Sequence, residues 1–298
     1  MTGQLDLRGI FPPIPTPFDE GGSIAFDRLE ANLERWNEEP LQGYVVGGSN
    51  GEFVSMTPDE RVETVARVRQ WAPKDRLVIA GAGMHATHAT LKLIDRMAEA
   101  GADAALVITP SYYKAKMDRA TLTRYYLDVA EYSPLPVLVY NVPANTGVNI
   151  DAGTVLEIAN HPNIVGMKDS SGDVSKIGQI AYALKGEFQI LAGSAGFFLG
   201  ALAMGAVGLV AALANIAPVP LAEILARFRS EDLPAAARIQ GRLVEANTAV
   251  TARFGVPGLK AAMDFQGRYG GPPRRPLLPL REPDRAILKR ILQSAGLL

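Results

Sequence analysis

Short, nearly continuous apolar runs alternate with longer stretches of helical pattern along almost the whole chain, and no other feature constrains the fold as much. The runs cover Gly9 to Ile14, Gly43 to Gly47, Leu77 to Gly81, Ala104 to Ile108, Val137 to Tyr140, Ile164 to Lys168, Gln189 to Leu191 and Val207 to Val210, eight in all. Strands that are apolar at nearly every position are those buried on both faces, as in a parallel sheet covered by helices. Eight such units predict an α/β fold, a (β/α)8 TIM barrel. From Pro218 onward the chain reads as helix with no further strong strand, so the barrel is assigned to residues 1–225 and a C-terminal helical extension to residues 226–298.

An open, doubly wound sheet is the competing architecture, but it usually carries a Gly-rich nucleotide turn after its first strand. Here that place holds PPIPTPFDEGG, too rich in proline to open a helix. Between the runs, helix starts are legible. Thr57-Pro58-Asp59-Glu60 reads as an N-cap, a proline at the first helical position and a capping-box glutamate, and Asp118, Asp151 and Asp173 suit further N-caps.

Composition removes several classes of function. A length of 298 residues suits one barrel and an appendage, and 30 Lys+Arg against 31 Asp+Glu leaves no basic run for nucleic acid. Cysteine is absent, which excludes disulfides, a thiol nucleophile and thiolate metal sites. MTGQLDLRGIF has no charged leader followed by an apolar stretch, and the longest apolar run, Ala201 to Leu213, is too short to span a bilayer. A cytoplasmic enzyme without a membrane partner is the expectation.

In a barrel of this kind, active sites gather where strands end. The strand ends here carry Thr16, Ser49 and Asn50, Thr109 with Tyr112, Tyr140, Lys168, Gly193 with Ser194, and Ala212. Lys168 is the most informative, because it closes the apolar run Ile164-Val165-Gly166-Met167. An ammonium among apolar neighbours loses hydration, which favours the neutral amine, and a neutral amine can add to a carbonyl and form an imine. A lysine paired to a nearby aspartate, or reaching out to the surface, fits the same pattern.

Tyr140 ends the preceding run, and adjacent strands lie roughly 5 Å apart, so the two side chains could meet over one substrate. A phenol there could move protons, or could simply fill the barrel mouth. The loop Gly47-Gly48-Ser49-Asn50-Gly51-Glu52 offers backbone N–H groups and two side-chain donors, suiting a carboxylate, though such a turn is often only a tight connection. His85, His88 and His161 form no metal motif and read as surface or capping residues, so neither a metal nor another cofactor is expected.

The ordered pieces GIFPPIPTPF, GSNGEF, GADAALVITPSYY, VLVYNVPANTG, GMKDSSGD and LAGSAGFF resemble the dihydrodipicolinate synthase / N-acetylneuraminate lyase superfamily over nearly the whole chain. The resemblance implies a pyruvate-dependent Schiff-base lyase or synthase, with Lys168 forming the imine and Tyr140 as acid/base. It further implies a relay hydroxyl at Ser49, a second tyrosine at Tyr112 that crosses a tight dimer interface, and a homotetramer built as a dimer of dimers.

Within the superfamily the pattern is most similar to 4-hydroxy-2-oxoglutarate aldolase, which cleaves its substrate to pyruvate and glyoxylate. Synthases that condense pyruvate with aspartate semialdehyde usually carry two threonines at the Ser49 and Asn50 positions and an arginine at the Asn145 position. Asn145 cannot supply a bidentate cationic clamp. The residues after the loop glutamate, Phe53, Val54, Pro58 and Arg61, also differ from those of lysine-inhibited synthases.

The leading expectation is therefore cleavage of 4-hydroxy-2-oxoglutarate through an imine on Lys168. Tyr140, Ser49 and Tyr112 move protons, and Ser49, Asn50, Asn145, Ser170 and Gly193 bind substrate. The alternatives are 4-hydroxy-tetrahydrodipicolinate (dihydrodipicolinate) synthase, a sugar-acid lyase, and, from another class, a non-catalytic 2-oxo-acid sensor.

Overall fold

A computed structural model describes residues 5–185 and 188–298. The strands are β1 (Ile10–Phe11), β2 (Gly43–Val46), β3 (Leu77–Gly81), β4 (Ala104–Ile108), β5 (Val137–Asn141), β6 (Ile164–Asp169), β7 (Gln189–Ala192) and β8 (Gly208–Val210). All their pairings are parallel, in the order β1-β8-β7-β6-β5-β4-β3-β2. The ring closes between β1 and β2 through a bridge from Pro13 to Val45, with Val45 N–H donating to Pro12 O (3.0 Å) and Ile14 N–H to Val45 O (3.0 Å). This is the predicted (β/α)8 barrel.

The first strand is shorter than the run Gly9 to Ile14 suggested, because Pro12 and Pro13 have no N–H to give to a ladder. β5, β6 and β7 each run one residue beyond the predicted end, to Asn141, Asp169 and Ala192. β2 stops one residue early, where Gly47 turns the chain at φ 68°.

The ring of helices comprises α1 (Phe26–Asn37), α2 (Pro58–Trp71), α3 (Thr87–Glu99), α4 (Arg119–Tyr132), a single turn α5 (Pro143–Thr146), α6 (Ala152–Ile158), α7 (Val174–Ala183), α8 (Phe198–Ala203) and α9 (Pro218–Arg229). Thr57 and Glu60 form the complete capping box at α2. Asp118, Asp151 and Asp173 cap α4, α6 and α7 by accepting the N–H of Thr121, Thr154 and Lys176. Each cap satisfies a backbone donor that the helix itself cannot.

Two apolar layers follow from strand alternation. Phe11, Val45, Ile79, Leu106, Leu138, Tyr140, Leu191 and Val210 fill the barrel, while residues such as Val46, Val107, Val139 and Ile190 face the helices. The extension follows α9 as α10 (Leu233–Thr248), a π-helical turn Ala249–Arg253, α11 (Gly255–Phe265) and α12 (Glu282–Ser294), and residue 225 itself lies within α9. α10 is tied to the loop after β7, where Asn247 donates to Ser194 Oγ (3.0 Å) and Gln240 to Ala195 O (2.6 Å).

Candidate active site at the barrel mouth

Parallel register puts Tyr140 of β5 opposite Lys168 of β6, and Asn141 opposite Asp169. Because successive side chains on a strand point to opposite faces, Tyr140 and Lys168 turn into the barrel mouth and Asp169 turns outward toward the helices. The Lys168 ammonium lies 4.1 Å from the Tyr140 ring centroid, and both residues are buried. On the other side of the phenol, Ser49 Oγ stands 3.2 Å from Tyr140 Oη, a hydrogen bond in which either oxygen can donate. Three of the residues singled out in the sequence thus meet in a chain of amine, phenol and hydroxyl.

Three lysines are buried among the described residues: Lys168, Lys176 and Lys260. Lys176 Nζ pairs with Asp169 at 2.6 Å, and Lys260 Nζ with Glu52 at 2.6 Å. Lys168 pairs with no carboxylate among the described residues. A buried ammonium held by a carboxylate is committed to its charge, whereas an unpaired amine beside a phenol is available to add to a carbonyl. This resolves the alternative left open at Lys168: the aspartate next to it in the chain is taken by Lys176.

That neighbouring pair belongs to a buried network the sequence did not disclose. Asn141 Nδ2 donates to Asn149 Oδ1 (2.9 Å), Lys176 Nζ donates to the same oxygen (3.2 Å) and to Ile150 O (3.3 Å), and Asp169 Oδ1 accepts from Ser171 N–H (2.6 Å). It braces the ends of β5 and β6 from behind.

Ser49 opens a 3-10 turn, Ser49–Gly51, on the loop after β2. Thr16 Oγ1 holds that turn by donating to Gly51 O at 2.7 Å. Asn50 is half-buried beside it. Ser49 also lines a cavity of about 330 Å³ whose wall includes Arg61, His85, Thr109 and Asn145. Lys168 and Tyr140 do not line it, so Ser49 stands between the phenol and this space.

Arg61 is a feature that sequence reasoning missed as a charge in the site. It is 3% exposed, lies over the Phe53 ring at 5.1 Å and donates to Gly81 O at 2.5 Å. Burial pulls its pKa down to about 10, which leaves it cationic at neutral pH. Its place on α2, inside a polar helical pattern, gave no sequence signal of burial.

The remaining candidates are less gathered. Tyr112 is 77% exposed, edge-on to Tyr113 (5.0 Å between centroids) and to His85 (6.4 Å). No hydrogen bond joins it to Ser49, Tyr140 or Lys168 within one chain. Ser170 Oγ is buried without a partner and points at Gly193, where a Cβ would lie 1.9 Å from it. The Gly193 N–H is itself spent on Asp169 O at 2.6 Å, and Ser194 Oγ accepts from Gly196 N–H (3.3 Å). The donors read after β7 are therefore spent on the end of β6 and, through the Ser194 hydroxyl to Asn247 Oδ1 (3.3 Å), on α10.

His161 bonds Glu131 and the Asn163 N–H, and His85 accepts from Ser111 N–H, while His88 is exposed on α3. No group of three acidic or histidine side chains among the described residues stands close enough to hold a metal.

Lys168, buried near the end of β6 and without a carboxylate among the described residues, thus faces the Tyr140 phenol across the register. Comparison with known proteins gives the family. Residues 6–295 match the dihydrodipicolinate synthetase family. The chain is 33% identical over 288 residues to 4-hydroxy-tetrahydrodipicolinate synthase from Exiguobacterium sp., covering 97% of this chain and 98% of the relative. It is 35% identical over 291 residues to the protein of that name from Haloarcula marismortui, covering 97% and 94%. Among solved structures, dihydrodipicolinate synthase DapA-2 from Bacillus anthracis superposes with a TM-score of 0.93 at 31% identity, over 98% of this chain and 99% of that one. The chain belongs to the dihydrodipicolinate synthetase family, whose members are pyruvate-dependent class I lyases and synthases that work through a lysine Schiff base without a metal cofactor.

Proposed function

We propose that this protein forms an imine between Lys168 and pyruvate and joins the resulting enamine to an aldehyde. The observation that carries the reading is the sequence of contacts Lys168–Tyr140–Ser49, with Lys168 the buried lysine left without a carboxylate among the described residues. The amine adds to C2 of pyruvate and water leaves. The Tyr140–Ser49 relay takes a C3 proton from the protonated imine, which gives the enamine, and C3 of the enamine attacks the aldehyde carbon. The alkoxide so formed takes a proton from the Tyr140 hydroxyl, which Ser49 resupplies. Asn50 and the Ser49 turn bind the pyruvate carboxylate.

For the aldehyde, the names of the relatives support aspartate semialdehyde and hence 4-hydroxy-tetrahydrodipicolinate synthase activity. In that reaction the amino group of the adduct displaces Lys168 from the imine carbon and closes the ring. Cleavage of 4-hydroxy-2-oxoglutarate, the sequence-based expectation, has no support from these relatives. It stays as the second reading for one reason: Asn145, exposed at the cavity wall, is no cationic clamp for a second carboxylate.

A second copy of the chain would bring its Tyr112 to the Ser49 cavity, and the exposure of Tyr112, Tyr113 and Val54 (77%, 72% and 81%) supports a dimer there, within the tetramer implied by the resemblance. Borohydride with pyruvate should leave a reduced adduct on Lys168, located by peptide mass. Parallel assays should then give condensation with aspartate semialdehyde and little pyruvate release from 4-hydroxy-2-oxoglutarate. The opposite ratio would transfer the assignment to the cleavage reading, and no adduct would remove both.

A further inference from the structure

The loop that carries Ser49 is held from behind by chain that comes from the C-terminal extension. The 3-10 turn ends on Glu52, which adopts φ 58° and ψ 34°, a left-handed conformation that L residues other than glycine seldom take. Such a residue persists where its surroundings over-determine it. Glu52 is 2% exposed, and its two carboxylate oxygens are bound separately. Oε1 lies 2.6 Å from Lys260 Nζ, an ion pair not aligned as a hydrogen bond, and Oε2 accepts the Arg274 N–H at 2.8 Å.

Lys260 stands on α11. Its ammonium also donates to Pro272 O at 2.9 Å and lies 4.7 Å from the Phe18 ring centroid. Burial acts to lower its pKa and the Glu52 charge acts to raise it, with burial the larger. The segment from Gly270 to Arg274 passes so near α11 that a Cβ on Gly270 would lie 2.0 Å from Lys260 O. Arg274 then donates to both carboxylate oxygens of Glu60 (2.8 and 2.6 Å), to Ser55 O (2.8 Å) and to Gly22 O (2.9 and 2.6 Å). None of these groups touches Tyr140 or Lys168. Through Glu52, Ser55 and Glu60 they bear on the short stretch from Ser49 into α2, and through Gly22 on the loop after β1.

We infer that Glu52, Lys260 and Arg274 form a clamp through which the C-terminal extension positions Ser49 against Tyr140. They are positioning residues: the ion pair fixes Glu52, the Glu52 N–H donates to Ser49 O (3.2 Å), and the turn places Ser49 Oγ at the phenol. The inference rests on the reading of Ser49 and Tyr140 as a proton relay. It extends that reading by making the extension part of the relay's support rather than a separate layer.

The test separates imine formation from proton transfer, and needs no second substrate. Deuterium uptake into the methyl group of pyruvate, followed by proton NMR, reports proton movement at C3. Borohydride trapping reports the imine. In the full-length double variant Glu52→Gln/Lys260→Met, which removes both buried charges together, maximal exchange should fall about 10- to 100-fold, as expected when a relay group shifts by about 1 Å. The fraction trapped at saturating pyruvate should stay within about twofold of wild type. Arg274→Gln should give a smaller fall of the same kind, and Arg274→Lys should recover part of it.

Unchanged exchange in folded Arg274→Gln and in the double variant would overturn the inference, as would an equal fall in trapping and exchange. Should the double variant fail to fold, as judged by circular dichroism, the Arg274 pair decides alone. Absence of trapping in the wild type would instead defeat the imine reading and is thereby distinguishable.

Discussion

Two regions of the barrel mouth reach their geometry by different routes. The β5–β6 edge sets Tyr140 against Lys168 through ladder register alone, so their 4.1 Å approach is a property of two adjacent strands. The Ser49 loop has no ladder to define it. It relies on Thr16, on a strained Glu52, and on Lys260 and Arg274 from distant chain. The two regions also treat buried lysine in opposite ways. Lys260 is paired with Glu52, whereas Lys168 has no carboxylate partner among the described residues.

The strongest way to break this contrast is Lys168→Ala. It should abolish both borohydride trapping and methyl exchange while thermal stability holds, since no ion pair is lost. Loss of folding instead would mean that Lys168 is structural, like Lys260. Tyr140→Phe keeps the ring under the amine and removes only the hydroxyl, so steady-state turnover should fall about 10²- to 10⁴-fold, with the adduct still trapped by borohydride. An inactive variant that also fails to trap would make Tyr140 necessary for the imine itself.

Behind the strand edge, Lys176→Met leaves Asp169 buried without its partner and should cost about 3–5 kcal/mol in urea unfolding. A cost under about 1 kcal/mol would show that the pair is not what braces β6. On the loop side, Thr57→Ala removes the α2 cap and should cost about 1 kcal/mol. The smallest effect is a pH dependence. The Arg274 guanidinium holds the Glu60 carboxyl down from an ordinary 4.5 to about 2. A carboxyl lowered on folding stabilises fully above its unfolded value and loses that contribution as pH falls from 4.5 through about 2. Glu60→Gln should flatten stability across that window, and an unchanged acid limb would remove Arg274–Glu60 from the clamp.

Much of the architecture was legible in the chain. A strand overlaps each of the eight apolar runs, and the caps at Thr57, Asp118, Asp151 and Asp173 stand where short-range residue pattern put them. The errors fall where local pattern and pairing diverge. The Gly9 to Ile14 run was read too long because two of its residues, as prolines, are apolar yet unable to donate. At the site, Lys168, Tyr140 and Ser49 were found as strand ends, and the structure brings them together. Ser170 and Gly193 were chosen by the same rule; the Gly193 N–H is spent on Asp169 O, and Ser170 Oγ is buried with no partner among the described residues. Glu52, Asp169, Lys176, Lys260 and Arg61 were missed as buried charges because burial of a charge depends on what packs over it, which no local pattern records.

Sequence by itself determined the parallel barrel, its helix starts and the strand-end lysine, since hydrophobic period and capping chemistry act over a few residues and are written locally. Only the tertiary structure decided which carboxylate neutralises which buried lysine. Asp169 is beside Lys168 in the chain but turns to the opposite face and meets Lys176, and Glu52 meets Lys260 across the molecule. Strand alternation and long-range packing set those partners, and among the described residues they leave Lys168 without a carboxylate.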